Sequence, residues 1–88
     1  MKKIPLKMSI IRWVSTRKDA AADDVYRSLA AEYGSERQFR RKSIEEMLQT
    51  MRAVGIIEIK DFEQSETGEP VPRYAITEYG RSRLKYIP

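Results

Sequence analysis

The chain has 88 residues, the size of one small domain, and its 41% hydrophobic content is enough for a globular core. It contains neither cysteine nor histidine, which excludes disulfides and thiolate metal sites and removes the commonest general base. We therefore expect a single domain over residues 1–88 that is not an enzyme and uses no metal or cofactor.

The formal net charge of +4 is distributed in blocks along the chain. Residues 1–18, 37–42 and 73–88 are rich in Lys and Arg, whereas residues 19–36 and 56–72 are acidic. Such blocks can build a basic face, which is typical of nucleic-acid binding, although the solvated faces of ordinary helices give the same composition. No apolar run approaches the roughly 18 residues that span a bilayer, so we expect a cytoplasmic protein with no membrane partner.

Two amphipathic helices are predicted in the first part of the chain. Apolar residues at helical spacing indicate a helix from about Pro5 to Ser15. A second helix is predicted from about Asp19 to Tyr33, because early acidic residues suit its positive end and Gly34 is a natural stop.

The third predicted helix ends at Gly55, and two strands follow it. Its apolar stripe has the i, i+3, i+4, i+7 spacing through Ile44, Met47, Leu48, Met51 and Val54. The stretches "IIEIKDF" and "RYAIT" then alternate as strands, joined by the turn "EQSETGEPVP" of about ten residues. Thr77 is expected to cap a short closing helix in which Leu84 and Ile87 pack. The predicted fold class is α+β: three helices, a hairpin and a closing helix.

Three stretches carry a resemblance to a known family. "DAAADDVYRSLAAEYG" looks like the first helix of a helix-turn-helix, "IEEMLQTMRAVGIIEI" like a recognition helix running into a wing strand, and "RYAITEYGRSRL" like the exit from the second wing strand. In this order and spacing the chain resembles the winged helix-turn-helix regulators of the PadR and MarR kind. The resemblance implies a winged helix fold whose third helix enters the DNA major groove with its N-terminal half.

The resemblance also implies, by position, which residues contact double-stranded DNA. Arg can bond guanine in a fork, Gln can pair with adenine, and Lys and Ser can hold phosphates. The candidates are Ser35, Arg37, Gln38, Arg40, Arg41 and Lys42, with Lys60 and Arg73 at the flanks of the wing.

The start of the third helix decides where these cations lie. Ser35 with Gln38 and Ser43 with Glu46 each fit a capping box. A start at Ser43 would leave residues 35–42 as a turn, long beside the three or four residues usual in the motif. We therefore expect the longer helix, from about Glu36, and keep the start at Ser43 as the alternative.

The wing loop departs from what a DNA contact needs. It carries Asp61, Glu63, Glu66 and Glu69, which phosphate should repel, so wing contacts are expected only from its two basic flanks. Glu45 and Glu46 also lie on the outward side of the third helix, where we interpret them as an exposed helix start.

The leading hypothesis is a small sequence-specific DNA-binding transcriptional regulator. Because one such domain usually binds weakly, a homodimer is expected, with either Lys7 and Arg12 or Tyr86 and Ile87 at the contact. The alternative is a winged helix that docks on a basic protein partner through its acidic wing. RNA binding is a weaker third class, for which Phe39 and Trp13 are the only stacking candidates.

Overall fold

The computed structural model of the chain describes residues 4–88. Three helices, two strands and a closing helix follow one another: α1 Leu6–Ser15, α2 Ala22–Tyr33, α3 Arg41–Ala53, β1 Ile57–Gln64, β2 Pro70–Ile76 and α4 Glu78–Arg83, with a 3-10 turn at Leu84–Tyr86. The predicted α+β order is confirmed. Within residues 4–88 there is no helix whose length and apolar character would let it cross a membrane.

The core lies between the three helices and the base of the hairpin. Each helix contributes apolar residues at helical spacing, and the strands contribute Ile57 and Tyr74. The side chains that are completely buried are Ile10, Val25, Tyr33, Ile44 and Leu48. Tyr33 also bonds through its hydroxyl to Ser9 Oγ and to the carbonyl of Ile4, each at 2.5 Å, which ties α2 to α1.

The second helix begins three residues later than predicted. Asp19 lies outside it because the neighbouring residue, Ala20, pairs with Tyr74 of β2. The N–H of each of these two residues donates to the carbonyl of the other at 2.8 Å. The Asp24 carboxylate then accepts from the N–H of Ala21 at 3.0 Å, so the acid that serves the helix start is Asp24.

The predicted start of the third helix near Glu36 is wrong, and so is the alternative at Ser43. The helix begins at Arg41, after Arg40 in extended conformation, and no side chain of the described residues caps it. Residues 35–40 form a turn instead. Phe39 is only 6% exposed and sits within that turn, so burying its ring holds the chain out of helical conformation before Arg41.

The end of α3 matches the prediction. Gly55 has a φ of 82°, a left-handed conformation that favours glycine, and the N–H of Ile56 donates back to the carbonyl of Met51 at 2.9 Å. These bonds close the helix and direct the chain into β1.

The hairpin is longer and its loop shorter than predicted. The strands pair antiparallel from Ile57 opposite Ile76 to Gln64 opposite Pro70, which leaves residues 65–69 as the loop. The register shifts between Ile59 and Asp61, so Lys60 lies at a bulge. The two prolines that suggested a turn are accommodated at positions 70 and 72 of β2, in a sheet of only two strands.

The closing helix is capped as predicted. Thr77 Oγ1 accepts from the N–H of Gly80 at 2.9 Å. Gly80 is buried, and a Cβ there would collide with the carbonyl oxygen of Ile56. The close approach of α4 to the start of β1 therefore requires glycine at this position.

Candidate nucleic-acid interface

The turn between α2 and α3 is held in place by one aromatic anchor. Phe39 stacks on Tyr26 of α2, with 4.8 Å between ring centroids and 16° between ring planes. Three backbone bonds shape the turn: Glu36 N–H donates to Tyr33 O at 2.9 Å, Phe39 N–H to Glu36 O at 3.0 Å, and Arg40 N–H to Gln38 O at 3.0 Å. The polar residues around Phe39 are consequently turned to the surface.

The structure brings six of the eight predicted site residues together in one continuous stretch. All six are exposed: Ser35, Arg37, Gln38, Arg40, Arg41 and Lys42. We call residues 35–42 the basic segment. Its first part is turn, and only Arg41 and Lys42 belong to α3. The cations are therefore presented at the tip of the helix and in the loop before it.

The electrostatics of the α3 start are unusual for an isolated helix. The N-terminal end of a helix carries partial positive charge, which acidic residues usually balance. The first turn of α3 holds no acid and contains Arg41 and Lys42, and Arg40 precedes them without a capping bond. Uncapped N–H groups and cations at one place favour an anion as the missing partner.

Arg41 already has partners within the protein. Its guanidinium forms an ion pair with Asp23 of α2 and lies 4.4 Å from the ring centroid of Tyr26. Asp23 also pairs with Arg27, one turn along α2, at 2.9 Å. Among the cations of the basic segment, Arg37, Arg40 and Lys42 make no ion pair within residues 4–88.

The outward face of α3 has a mixed character. The side of α3 opposite the buried Ile44 and Leu48 is exposed. At about 3.6 residues per turn, this side carries Lys42, Glu46 and Gln49. Gln49 Nε2 donates to the hydroxyl of Tyr74 at 3.0 Å. The sequence analysis did not name Gln49 as a candidate, because a helix starting at about Glu36 places Gln49 far from its N-terminal half. The apolar stripe alone would have placed it opposite the core.

The two predicted wing residues differ in their surroundings. Lys60 is exposed at the bulge of β1. Arg73 is one-quarter exposed and pairs with three carboxylates: Asp19 at 2.7 Å, Glu63 at 2.7 Å and Asp24 at 3.3 Å. Its donors thus join the α1–α2 loop, the start of α2 and the opposite strand of the wing.

The Arg73 cluster shifts the titration of its members. The hydrogen bond from Arg73 holds the pKa of the Asp19 carboxyl below its ordinary value. The same bond raises the pKa of the Arg73 guanidinium above its ordinary value, and the bond to Glu63 adds to it. With these contacts Arg73 is therefore a charged residue that stabilises the fold by joining three of its elements.

The acids of the wing are exposed, and one apolar residue is exposed among them. Asp61, Glu63, Glu66 and Glu69 all lie at the surface, and the ring of Phe62 is 56% exposed.

The two aromatic residues considered for RNA stacking are placed differently. Phe39 is buried, and Trp13 packs partly against the core with Arg17 at 4.7 Å from its ring centroid.

No protein-family model matches the chain, and no curated protein matches it. Solved structures do match its fold. A PadR-like transcriptional regulator of Bacillus cereus is 21% identical with a TM-score of 0.71, over 92% of this chain and 75% of that one. A Streptococcus transcriptional regulator is 15% identical with a TM-score of 0.72, over 92% and 75%.

A third match is the PadR protein of Bacillus subtilis, solved in complex with operator DNA. It is 21% identical with a TM-score of 0.73, over 92% of this chain and 45% of that one. These likenesses, together with the element order, identify the fold as a winged helix-turn-helix. In this fold α2, the turn and α3 form the helix-turn-helix, and the β1–β2 hairpin is the wing.

Proposed function

We propose that the chain is a DNA-binding transcriptional regulator that contacts the duplex through its basic segment. The observation that carries this proposal is the group of exposed cations at the uncapped N-terminal end of α3. Cations at this end oppose the helix dipole, so they are expected where an anionic partner repays that cost. The similar fold of a PadR protein that was solved with operator DNA supports the same function.

The residues of the interface take different roles in this proposal. Arg37, Arg40 and Lys42 have no carboxylate partner within residues 4–88, so they are suited to bind phosphates. Gln38 and Gln49 are exposed amides that can pair with adenine if α3 enters the major groove, and Gln49 would do so with the amide that donates to Tyr74 in the free protein.

We infer that the wing contributes little to DNA binding. Its exposed carboxylates repel phosphate, and Arg73 is occupied by Asp19, Asp24 and Glu63. Lys60 remains as the one wing residue of the predicted set that is exposed and makes no ion pair among the described residues. We therefore take Lys60 as a flanking phosphate contact and assign Arg73 to the stability of the wing.

A salt titration with matched variants tests the proposal. The test variant replaces Arg37, Arg40 and Lys42 by Ala. The control replaces Arg17, Lys18 and Arg81 by Ala, which changes the net charge equally at exposed cations outside the basic segment, the wing and the proposed dimer contact. Binding to a fluorescein-labelled mixed-sequence duplex is followed by anisotropy at several salt concentrations.

The test variant is expected to lose most of the affinity. Because each neutralised phosphate contributes about −0.9 to the slope of log K against log salt, the slope should become shallower by up to about 2.7. The control should keep the parent slope to within about 1. Equal losses from both variants, or a parent whose binding does not depend on salt, would contradict the proposal.

The acidic wing gives a second candidate function, docking on a basic protein. The observation in its favour is Phe62, an exposed aromatic ring between Asp61 and Glu63. Replacing Asp61, Glu66 and Glu69 by Ser leaves Glu63 with Arg73 and separates the two functions. Tighter DNA binding supports the first, whereas unchanged DNA binding with loss of a captured basic partner supports the second.

We further propose that two copies bind a two-fold DNA site. Arg12 of α1 donates to the carbonyl of Pro88, so the two surfaces expected at a dimer contact, α1 and the C-terminal turn, adjoin each other. A ratio of two chains per duplex in sedimentation of the complex would agree with this arrangement.

A further inference from the structure

Within residues 4–88, Arg41 is the one cation of the basic segment that both lies over an aromatic ring and forms an ion pair. Its guanidinium lies over Tyr26 at 4.4 Å from the ring centroid, and the same ring stacks on the buried Phe39 with 4.8 Å between centroids. Such a stack fixes the plane of the guanidinium, which Arg uses to bind oxygen pairs in a fork. The Arg41 side chain is nevertheless 56% exposed, so a ligand can reach it.

The edge of this guanidinium is occupied by a carboxylate. Asp23 pairs with Arg41 through Oδ1 and with Arg27 through Oδ2. Oδ1 is shielded from solvent and accepts no hydrogen bond within residues 4–88. Its polar contact there is the ion pair with Arg41. In the free protein, the charge of Arg41 is therefore neutralised at the point where the proposed interface begins.

We propose that Asp23 is an internal competitor for the DNA phosphate that Arg41 binds. This inference rests on the proposed DNA-binding function. On binding, Arg41 exchanges one oxyanion for another while Tyr26 keeps the guanidinium in place. Asp23 keeps Arg27 as its cation, which makes the exchange feasible without leaving an isolated carboxylate.

The exchange limits what Arg41 adds to affinity. A cation that leaves a carboxylate to bind a phosphate contributes only the difference in free energy between the two ion pairs. Arg37, Arg40 and Lys42 leave no carboxylate, so each contributes the full free energy of its phosphate contact. The acid also remains close to the DNA. Asp23 is thus a residue that tunes the strength and the salt dependence of binding without contacting the nucleic acid.

A double-mutant cycle tests the role of Asp23. Asp23→Asn keeps the size of the side chain and removes the charge, and Arg41→Gln removes the partner. The probe is the same labelled mixed-sequence duplex, titrated with salt for the parent, the two single variants and the double variant. Circular dichroism checks that each variant is folded, and Asp23→Ser, which also suits the first turn of a helix, is the second variant at this position.

Asp23→Asn is expected to tighten DNA binding about two- to fivefold, the range of an exposed ion pair. The slope of log K against log salt should steepen by up to about 0.9, because the cation released from the phosphate is no longer offset by one that the freed Asp23 carboxylate takes up. In the Arg41→Gln background both effects should vanish, because the cation that Asp23 restrains is gone.

A matched acid distinguishes this competition from general repulsion. Glu46 is exposed on the outward face of α3 and makes no ion pair within residues 4–88. Glu46→Gln should improve binding equally with and without Arg41. If Asp23→Asn behaves in the same way, or keeps its effect in the Arg41→Gln background through the released Arg27, the inference is wrong while the proposed function stands. A parent that does not bind the duplex in a salt-dependent manner overturns the proposed function itself.

Discussion

The two phenylalanines of the chain offer a paired test of how the basic segment is anchored. Phe39 is 6% exposed and stacks on Tyr26, whereas Phe62 is 56% exposed on the wing. Truncating a buried Phe to Ala costs about 3–5 kcal/mol. Because Phe39 lies in a surface turn that can partly collapse, we expect about 3 kcal/mol for Phe39→Ala. An exposed substitution such as Phe62→Ala should stay within about 0.5 kcal/mol.

The size of this loss can be judged against the whole domain. A stability of about 0.05–0.15 kcal/mol per residue gives roughly 4–13 kcal/mol for 88 residues, so Phe39→Ala removes a large fraction of it. With a urea m-value of about 1–1.5 kcal/mol/M, the unfolding midpoint should fall by about 2–3 M.

Urea unfolding followed by the fluorescence of Trp13, the single tryptophan, measures both variants. A Phe39→Ala midpoint within about 0.5 M of the parent, or equal losses from the two variants, would refute the anchoring of the turn by Phe39. Affinity for duplex DNA should also fall for Phe39→Ala under folding conditions, because the cations around it lose their fixed positions.

Three further variants test the contacts that hold the fold. Tyr33→Phe should cost about 1–3 kcal/mol in urea unfolding, because Ser9 and the carbonyl of Ile4 lose their buried partner; no loss would mean that the hydroxyl is replaceable by water. Asp19→Asn should be less stable than the parent at neutral pH, and this difference should shrink as the pH falls. The pKa of Asp19 is below its unfolded value of 3.8 in the fold, so its contribution is present above that value and lost as the pH drops through the lowered pKa. Gly80→Ala should destabilise by about 1–3 kcal/mol through its collision with Ile56, and a thermal midpoint equal to the parent would contradict that packing.

Periodicity and turn chemistry were sufficient to predict most of the architecture. The apolar stripes located α1, the body of α2 and α3, and the change to alternation located the hairpin. Gly55 and Thr77 end and begin their helices as predicted, because each acts on bonds within a few residues of itself. Local signals of this kind are readable in a single sequence.

The errors lie where distant residues decide the local structure. Two capping boxes in the sequence are unused, because burying Phe39 against Tyr26 outweighs what a cap at Ser35 would contribute. The start of α2 is displaced by backbone pairing of Ala20 with a strand more than fifty residues later in the chain.

The exposure of the cations in the candidate site could be predicted from the sequence, but their ion-pair partners could not. The cluster of cations between residues 37 and 42 is visible in composition, and the structure keeps it at the surface. The partners of Arg41 and Arg73 are not visible, because Asp23, Asp19 and Glu63 reach them only through the tertiary fold. Sequence reasoning therefore counted as free two cations that the fold pairs with carboxylates.

We propose that the basic segment is the part of the protein that contacts DNA. Amide chemical shifts of the isotope-labelled chain, recorded while duplex DNA is added at low salt, report this contact residue by residue. We expect the largest shifts at residues 35–43 and Gln49, a smaller shift at Lys60, and little change at the wing loop 65–69 and at α4. Shifts confined to the wing loop or to α4, with residues 35–43 unchanged, would contradict it.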